Sequence, residues 1–219
     1  MPGPAPARAG RGAPIHRNGG FSFAEDPSLD APEARILWHA DLDPGVLRVR
    51  AVPSAAGNPD AIDPADFAPW LTLVSDAAGE HAVLSNGWQH IRLDIEQGSL
   101  GQGAVVLDYL LRGLASAERQ ILPLRRLLDL ARRRRFRADL YPPDRRIGRW
   151  LMALRVHDAL RAGASQREVA HALFDADVTS HDYDRRADSL RSRVRRLARE
   201  ATALARGGYR TLMRREVEP

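Results

Sequence analysis

The sequence predicts an α+β protein, with a small antiparallel β-sheet domain followed by an all-helical domain of helix-turn-helix type. Three observations carry that prediction. Two alternating apolar runs between residues 81 and 95 flank an Asn86-Gly87 pair, the strongest short-range hairpin signal. Beyond Gly103 the spacing of apolar residues lengthens from two to three or four, which is the helical period. Lastly, Ser165-Gln-Arg-Glu168 has the form of a helix-opening capping box, and a long arginine-rich segment follows it.

Taken in order, residues 1–20 are Pro, Gly, Ala and Arg without a hydrophobic period and predict a disordered tail. Ala34–Ala40 and Val46–Val52 read as two strands joined through Asp43-Pro44-Gly45, a turn tripeptide. His81–Ser85 and Trp88–Ile95 form the hairpin about Asn86-Gly87. In its second arm Ile91, Leu93 and Ile95 alternate with Arg92, Asp94 and Glu96. The sheet therefore has about four strands, with Trp38, Trp70 and Trp88 as candidate core residues. Ala104–Leu114 and Ile121–Arg134 suit helices, the second capped by Ser116 and tolerating Pro123 only in its first turn. Tyr141-Pro-Pro-Asp144 breaks the chain, and the division is 21–115 for the sheet domain and 116–219 for the helical one. Asp144 caps a helix over Arg145–Arg161, with Ile147, Trp150, Leu151 and Leu154 on its inner side.

Charge separates the same two parts. All 33 basic residues are arginine. Residues 1–115 hold 8 Arg against 14 acids, a balance of −6, and residues 116–219 hold 25 Arg against 14 acids, a balance of +11. A basic half built from guanidinium groups is the footprint of a phosphate-binding surface. The absence of cysteine excludes disulfide scaffolds and thiolate zinc sites. No apolar stretch approaches a membrane span or a signal sequence, so a cytoplasmic protein without membrane contact is expected.

The candidate site lies in the last two helices. Ser165 and Glu168 open the first, which continues through Val169, Ala170, Leu173 and Phe174. The other should span Asp184–Arg206, with Leu190, Val194, Leu197, Ala201 and Leu204 as one buried stripe. Off that stripe lie Arg191, Ser192, Arg193, Arg195, Arg196 and Arg199. Such a helix fits the major groove, where arginine pairs with guanine O6 and N7. Gln166 and Arg167, in the first turn of the preceding helix, and Arg132–Arg135 are candidates for phosphate contacts that position it. The connection Asp175–Asp184 is longer than the three or four residues of a tight helix-turn-helix and is acidic.

Several segments resemble a proteobacterial family filed as domain of unknown function 2285. They are Phe23-Ala-Glu-Asp-Pro-Ser-Leu, Ala31-Pro-Glu-Ala-Arg-Ile-Leu-Trp-His-Ala-Asp, Pro142-Pro-Asp-Arg-Arg, Ala164-Ser-Gln-Arg-Glu-Val-Ala, Leu190-Arg-Ser-Arg-Val-Arg-Arg and Gly207-Gly-Tyr-Arg. The resemblance implies a helix-turn-helix transcription factor, of a kind often encoded on integrative and conjugative elements, where it controls excision and transfer genes. It also implies that Arg191, Ser192, Arg193, Arg195 and Arg196 read double-stranded DNA. Longer relatives carry an aromatic-rich module ahead of the Phe23 motif, and some shorter ones act by binding an activator. The sheet domain is expected to mediate self-association as a homodimer or contact with a related regulator, with dimers reading paired half-sites, and an anti-activator with little DNA binding is the alternative function.

Catalysis is not expected. The densest polar cluster, His181-Asp-Tyr-Asp184, suits helix capping, and His39 with Asp41 suits strand pairing. No phosphate loop, nucleophile elbow or His-x-x-x-His pair is present, and no cofactor or metal is implied.

Overall fold

The computed structural model describes Glu33, Arg35, Trp38 and residues 40–55, 57–76, 79–174 and 183–214, with backbone alone for 183–188 and 214. The expected tail and most of the first expected strand lie outside these residues. Two compact units divide between Pro142 and Pro143, and each is described by itself. Among the described residues no helix is long and apolar enough to cross a membrane.

The first unit is a six-stranded sheet with one long helix. Its strands are β1 (Leu47–Pro53), β2 (Ala61–Ile62), β3 (Leu71–Ser75), β4 (Glu80–Ser85), β5 (His90–Gln97) and β6 (Val105–Tyr109). They are ordered β2-β6-β1-β5-β4-β3. The Asn86-Gly87 hairpin forms as expected, with Ser85 opposite His90. Its loop spans four residues, because the Asn86 carboxamide accepts from the amides of Trp88 and Gln89 at 3.2 and 2.9 Å. Asp43-Pro44-Gly45 is also a turn, closed by Val46 N donating to the Asp43 carbonyl at 3.1 Å.

The sheet departs from the expected antiparallel one. Strand β1 lies between β5 and β6, parallel to the former and antiparallel to the latter. That insertion brings the chain after β5 against β1. A Cβ on Gly98 would sit 1.9 Å from the Ala51 carbonyl oxygen, and its φ is +79°, so only glycine fits.

Residues 104–114 also depart from expectation. They hold β6 rather than a helix, with Val105 and Leu107 buried and Asp108 exposed. Adjacent β-branched valines and an open edge on β1 favour the strand over the apolar run's helical alternative.

The helix α1 (Leu114–Arg133) starts seven residues before the expected one. Ser116 lies inside it and caps nothing, the N-cap being Gly113. Pro123 sits in its third turn, where the amide that would bond Arg119 is missing. Burial explains the tolerance: Leu127 and Leu130 pack with Leu47, Val49, Leu93 and Ile95 in the main core. Burying each such side chain is worth roughly 1.5–3 kcal/mol. The helix thus belongs with the sheet, whereas the sequence placed it with the helical half.

The core also takes in half-buried Trp70, which meets Phe136 edge-on at 6.0 Å. Trp88, by contrast, stands exposed at the hairpin tip rather than in the core.

Candidate nucleic-acid interface

The second unit contains α2 (Ile147–Arg161), α3 (Gln166–Phe174), α4 (Tyr183–Ala203) and α5 (Tyr209–Arg214). Its fully buried core is mostly alanine and valine: Ala153 and Val156 of α2, Val169 and Ala170 of α3, and Val194 and Ala201 of α4 with Leu197. Of the expected stripe, Val194, Leu197 and Ala201 are buried and Leu190 packs half-buried against them, as the helical period dictates, whereas Leu204 lies beyond α4 and is half-buried outside this core. The α2 face is reversed. Ile147, Leu151 and Leu154, expected inside, are exposed, and Trp150 is half-buried. Apolar residues lie on both sides of α2, so the period does not choose a face. Ala153 and Val156 allow the closer helix approach, and packing selects them.

The start of α2 departs from expectation: the helix begins at Ile147 with Arg146 as its N-cap, and Asp144 closes the turn that precedes it. The Asp144 carboxylate accepts from the Arg146 amide at 2.8 Å and from the Arg146 guanidinium at 2.8 and 3.0 Å. These bonds hold the Asp144 carboxyl below its ordinary range, the side-chain bond to Arg146 contributing most. The capping box forms reciprocally. Ser165 N donates to a Glu168 carboxylate oxygen at 2.7 Å, and Glu168 N donates to Ser165 Oγ at 3.2 Å.

One open groove runs along the outer side of α4 beside the first turn of α3. It is lined by Gln166, Ser192, Arg195, Ala198, Arg199, Thr202, Ala203 and Arg206. The sequence period explains the set, because residues 192, 195, 199, 202 and 206 recur at three or four. Arg195 Nη2 donates to Ser192 Oγ at 3.3 Å, and Arg199 Nε donates to the Arg195 carbonyl at 3.4 Å. These are long bonds on exposed side chains, readily exchanged for a ligand's oxygens.

Of the residues singled out from sequence, the groove unites Gln166, Ser192, Arg195 and Arg199. The others lie elsewhere. Arg193 covers the Phe174 ring at 4.3 Å from its centroid, and Arg191, Arg196 and Arg167 are exposed outside the groove lining. Arg206 and Thr202 were missed, although Arg206 continues the Arg195–Arg199 face by seven residues. Its position at the helix end obscured it: Gly207, at φ +114°, ends that helical run before α5.

Electrostatically the groove is cationic. Glu200 is the one acid between residues 189 and 206, and Arg149 of α2 holds it in a double contact at 2.8–3.1 Å. The Arg132–Arg135 run belongs to the first unit and is partly neutralised. Arg133 pairs with Asp129 at 3.0 Å and Arg134 with Asp66, while Arg132 and Arg135 are exposed.

His39, His181 and Asp182 lie outside the described residues. Asp41 pairs with Arg48 at 3.0 Å. Among the described residues no group of three or more His, Asp or Glu could hold a metal.

No curated protein matches the chain. Residues 111–214, from just before α1 to the end of α5, match the model of the RovC DNA-binding domain, described as "T6SS, Transcription factor, DNA binding domain". The match covers just under half the chain and straddles both compact units. It supports a DNA-binding transcriptional regulator.

Proposed function

We propose that the protein regulates transcription by laying the outer face of α4 on duplex DNA. Arg195 and Arg199 would enter the major groove, with Gln166, Arg167, Arg206 and the neighbouring Arg191 and Arg196 on phosphates. The observation that carries this reading is the cationic groove shared by Gln166, Ser192, Arg195, Arg199 and Arg206, inside the segment matching a DNA-binding domain. A guanidinium row along one helix face supplies the charge for a phosphodiester strand.

The chain acts by binding, without a catalytic step or cofactor, in the cytoplasm. Membership of the domain of unknown function 2285 family, and with it control of excision and transfer genes of a mobile element, rests on the six quoted segments. The matched family's own description names type VI secretion. Recovery of bound fragments from the chain's own genome separates these two targets.

A protein-binding anti-activator is the second reading, favoured by exposed Ile147, Leu151 and Leu154 on α2 and exposed Trp88. Fluorescence anisotropy on random duplex and on the chain's own upstream region, over a salt series, decides between the two. The DNA reading expects tighter binding to the upstream duplex, loss with Arg195→Ala plus Arg199→Ala, and a slope of about −0.9 per phosphate contacted. Absence of binding at low salt would sink it in favour of the anti-activator.

A further inference from the structure

The outer side of α1 carries a feature that lies outside the α3–α4 groove. Leu114, Ile121 and Leu128 are spaced by seven along this 20-residue helix, so they form one nearly straight stripe. They are 92%, 60% and 41% exposed. The helix's opposite side is committed to the sheet core through Leu127 and Leu130. Between the apolar residues, on the same stripe, stand Glu118 and Arg125. Both are exposed, and neither makes a direct ion pair among the described residues, Arg125 acting on Asp139 only through its charge.

We propose that this stripe is a self-association surface, on which α1 packs antiparallel against α1 of a second copy of the chain. The sequence of the stripe is self-complementary about Ile121. In an antiparallel pair Ile121 meets the second copy's Ile121, and Leu114 meets the second copy's Leu128. Glu118 then falls beside the second copy's Arg125, and the two-fold axis repeats that ion pair. A parallel pair would instead set Glu118 against Glu118 and Arg125 against Arg125, so charge selects the antiparallel arrangement. Antiparallel alignment also opposes the two helix dipoles favourably.

The surface is small. A helix of this length is about 30 Å long and 10 Å wide, which places the contact below the roughly 1,200 Å² of a stable interface. The dimer is accordingly weak and concentration-dependent, and adjacent half-sites on DNA would raise its occupancy by effective concentration. The inference stands apart from the DNA reading, because α1 contributes no residue to the groove.

Sedimentation equilibrium of the full chain without DNA tests it. Association should rise with concentration and disappear in Ile121→Asp. Glu118→Arg and Arg125→Glu should each weaken it about tenfold, while the two together should restore it. Circular dichroism checks that each variant is folded. Because the chain has no cysteine, cross-linking adds a readout of orientation. Ile121→Cys should form a disulfide-linked dimer. Leu114→Cys should link to Leu128→Cys in a mixture of the two variants and not to itself. A monomer up to about 1 mM, association indifferent to Ile121→Asp, or self-linking of Leu114→Cys overturns the proposal. A monomer would leave the stripe to a different protein.

Discussion

Arg149 holds Glu200 through two guanidinium nitrogens, with Nη2 2.8 Å and Nε 3.0 Å from Glu200 Oε2. The one acid between residues 189 and 206 is thereby turned toward α2 and neutralised. The pair is mostly exposed on the arginine side, so its worth to stability is small. Its effect on the cationic groove is larger, because removing Arg149 leaves an uncompensated carboxylate on the helix proposed to meet DNA. Arg149→Ala is expected to weaken DNA binding several-fold at low salt while moving the melting temperature by about 2 °C or less. Adding Glu200→Ala should recover the affinity. Anisotropy and thermal melts on the single and double variants check this.

Arg193 and Arg195 are two residues apart and have different surroundings. Arg193 lies over Phe174, a contact worth about 0.5–1 kcal/mol at an exposed site, whereas Arg195 lines the groove. Arg193→Ala is expected to cost about that much in urea denaturation and to change DNA affinity little. Arg195→Ala should do the reverse. Equal losses of affinity for the two variants would mean that the whole arginine face, and not the groove, meets DNA.

The contrast shows what the sequence made legible. The capping box, the hairpin turn and the α4 stripe were readable because each is fixed by residues within one or two turns of each other. Tertiary competition decided the rest. The run at 104–109 becomes β6 only because β1 offers it an edge, and the pairing of β1 with β5 joins residues more than forty apart. On α2 both sides are apolar, and packing against Val169 and Val194 picks the Ala153–Val156 side. The site was half legible for the same reason. Helical period gathers Ser192, Arg195 and Arg199, but Phe174, on another helix, takes Arg193 out of the set.

His81 gives the first unit a pH dependence of defined sign. Its Nδ1 lies 2.8 Å from Asp94 Oδ1 and its Nε2 lies 3.3 Å from Asp76 Oδ1. Burial alone lowers the imidazole's pKa, but the two carboxylates together outweigh it, and the pKa is raised above 6.5. A raised folded-state pKa contributes stability that is fully present below the unfolded value and is lost as pH rises through the folded one. Urea denaturation of the native chain and of His81→Gln should therefore differ most near pH 6 and progressively less toward pH 9. A gap that widens with rising pH would mean that His81 is neutral in the fold.

Gly98 reports on the unusual insertion of β1 between β5 and β6. Its backbone is in the left-handed region, and a Cβ would overlap the Ala51 carbonyl oxygen. Neither group can rotate away, because Ala51 is bonded into the β1–β6 ladder opposite Leu107. Gly98→Ala is therefore expected to cost more than about 2 kcal/mol, from the strained φ together with the backbone clash. Gly57, also at positive φ but with open space around it, supplies the control. Gly57→Ala should cost only the conformational part, about 1 kcal/mol. Denaturant midpoints of the two variants separate the contributions. Similar losses at both positions would show that β1 can shift away from the β5–β6 connection, and that its place in the sheet is not held by that close approach.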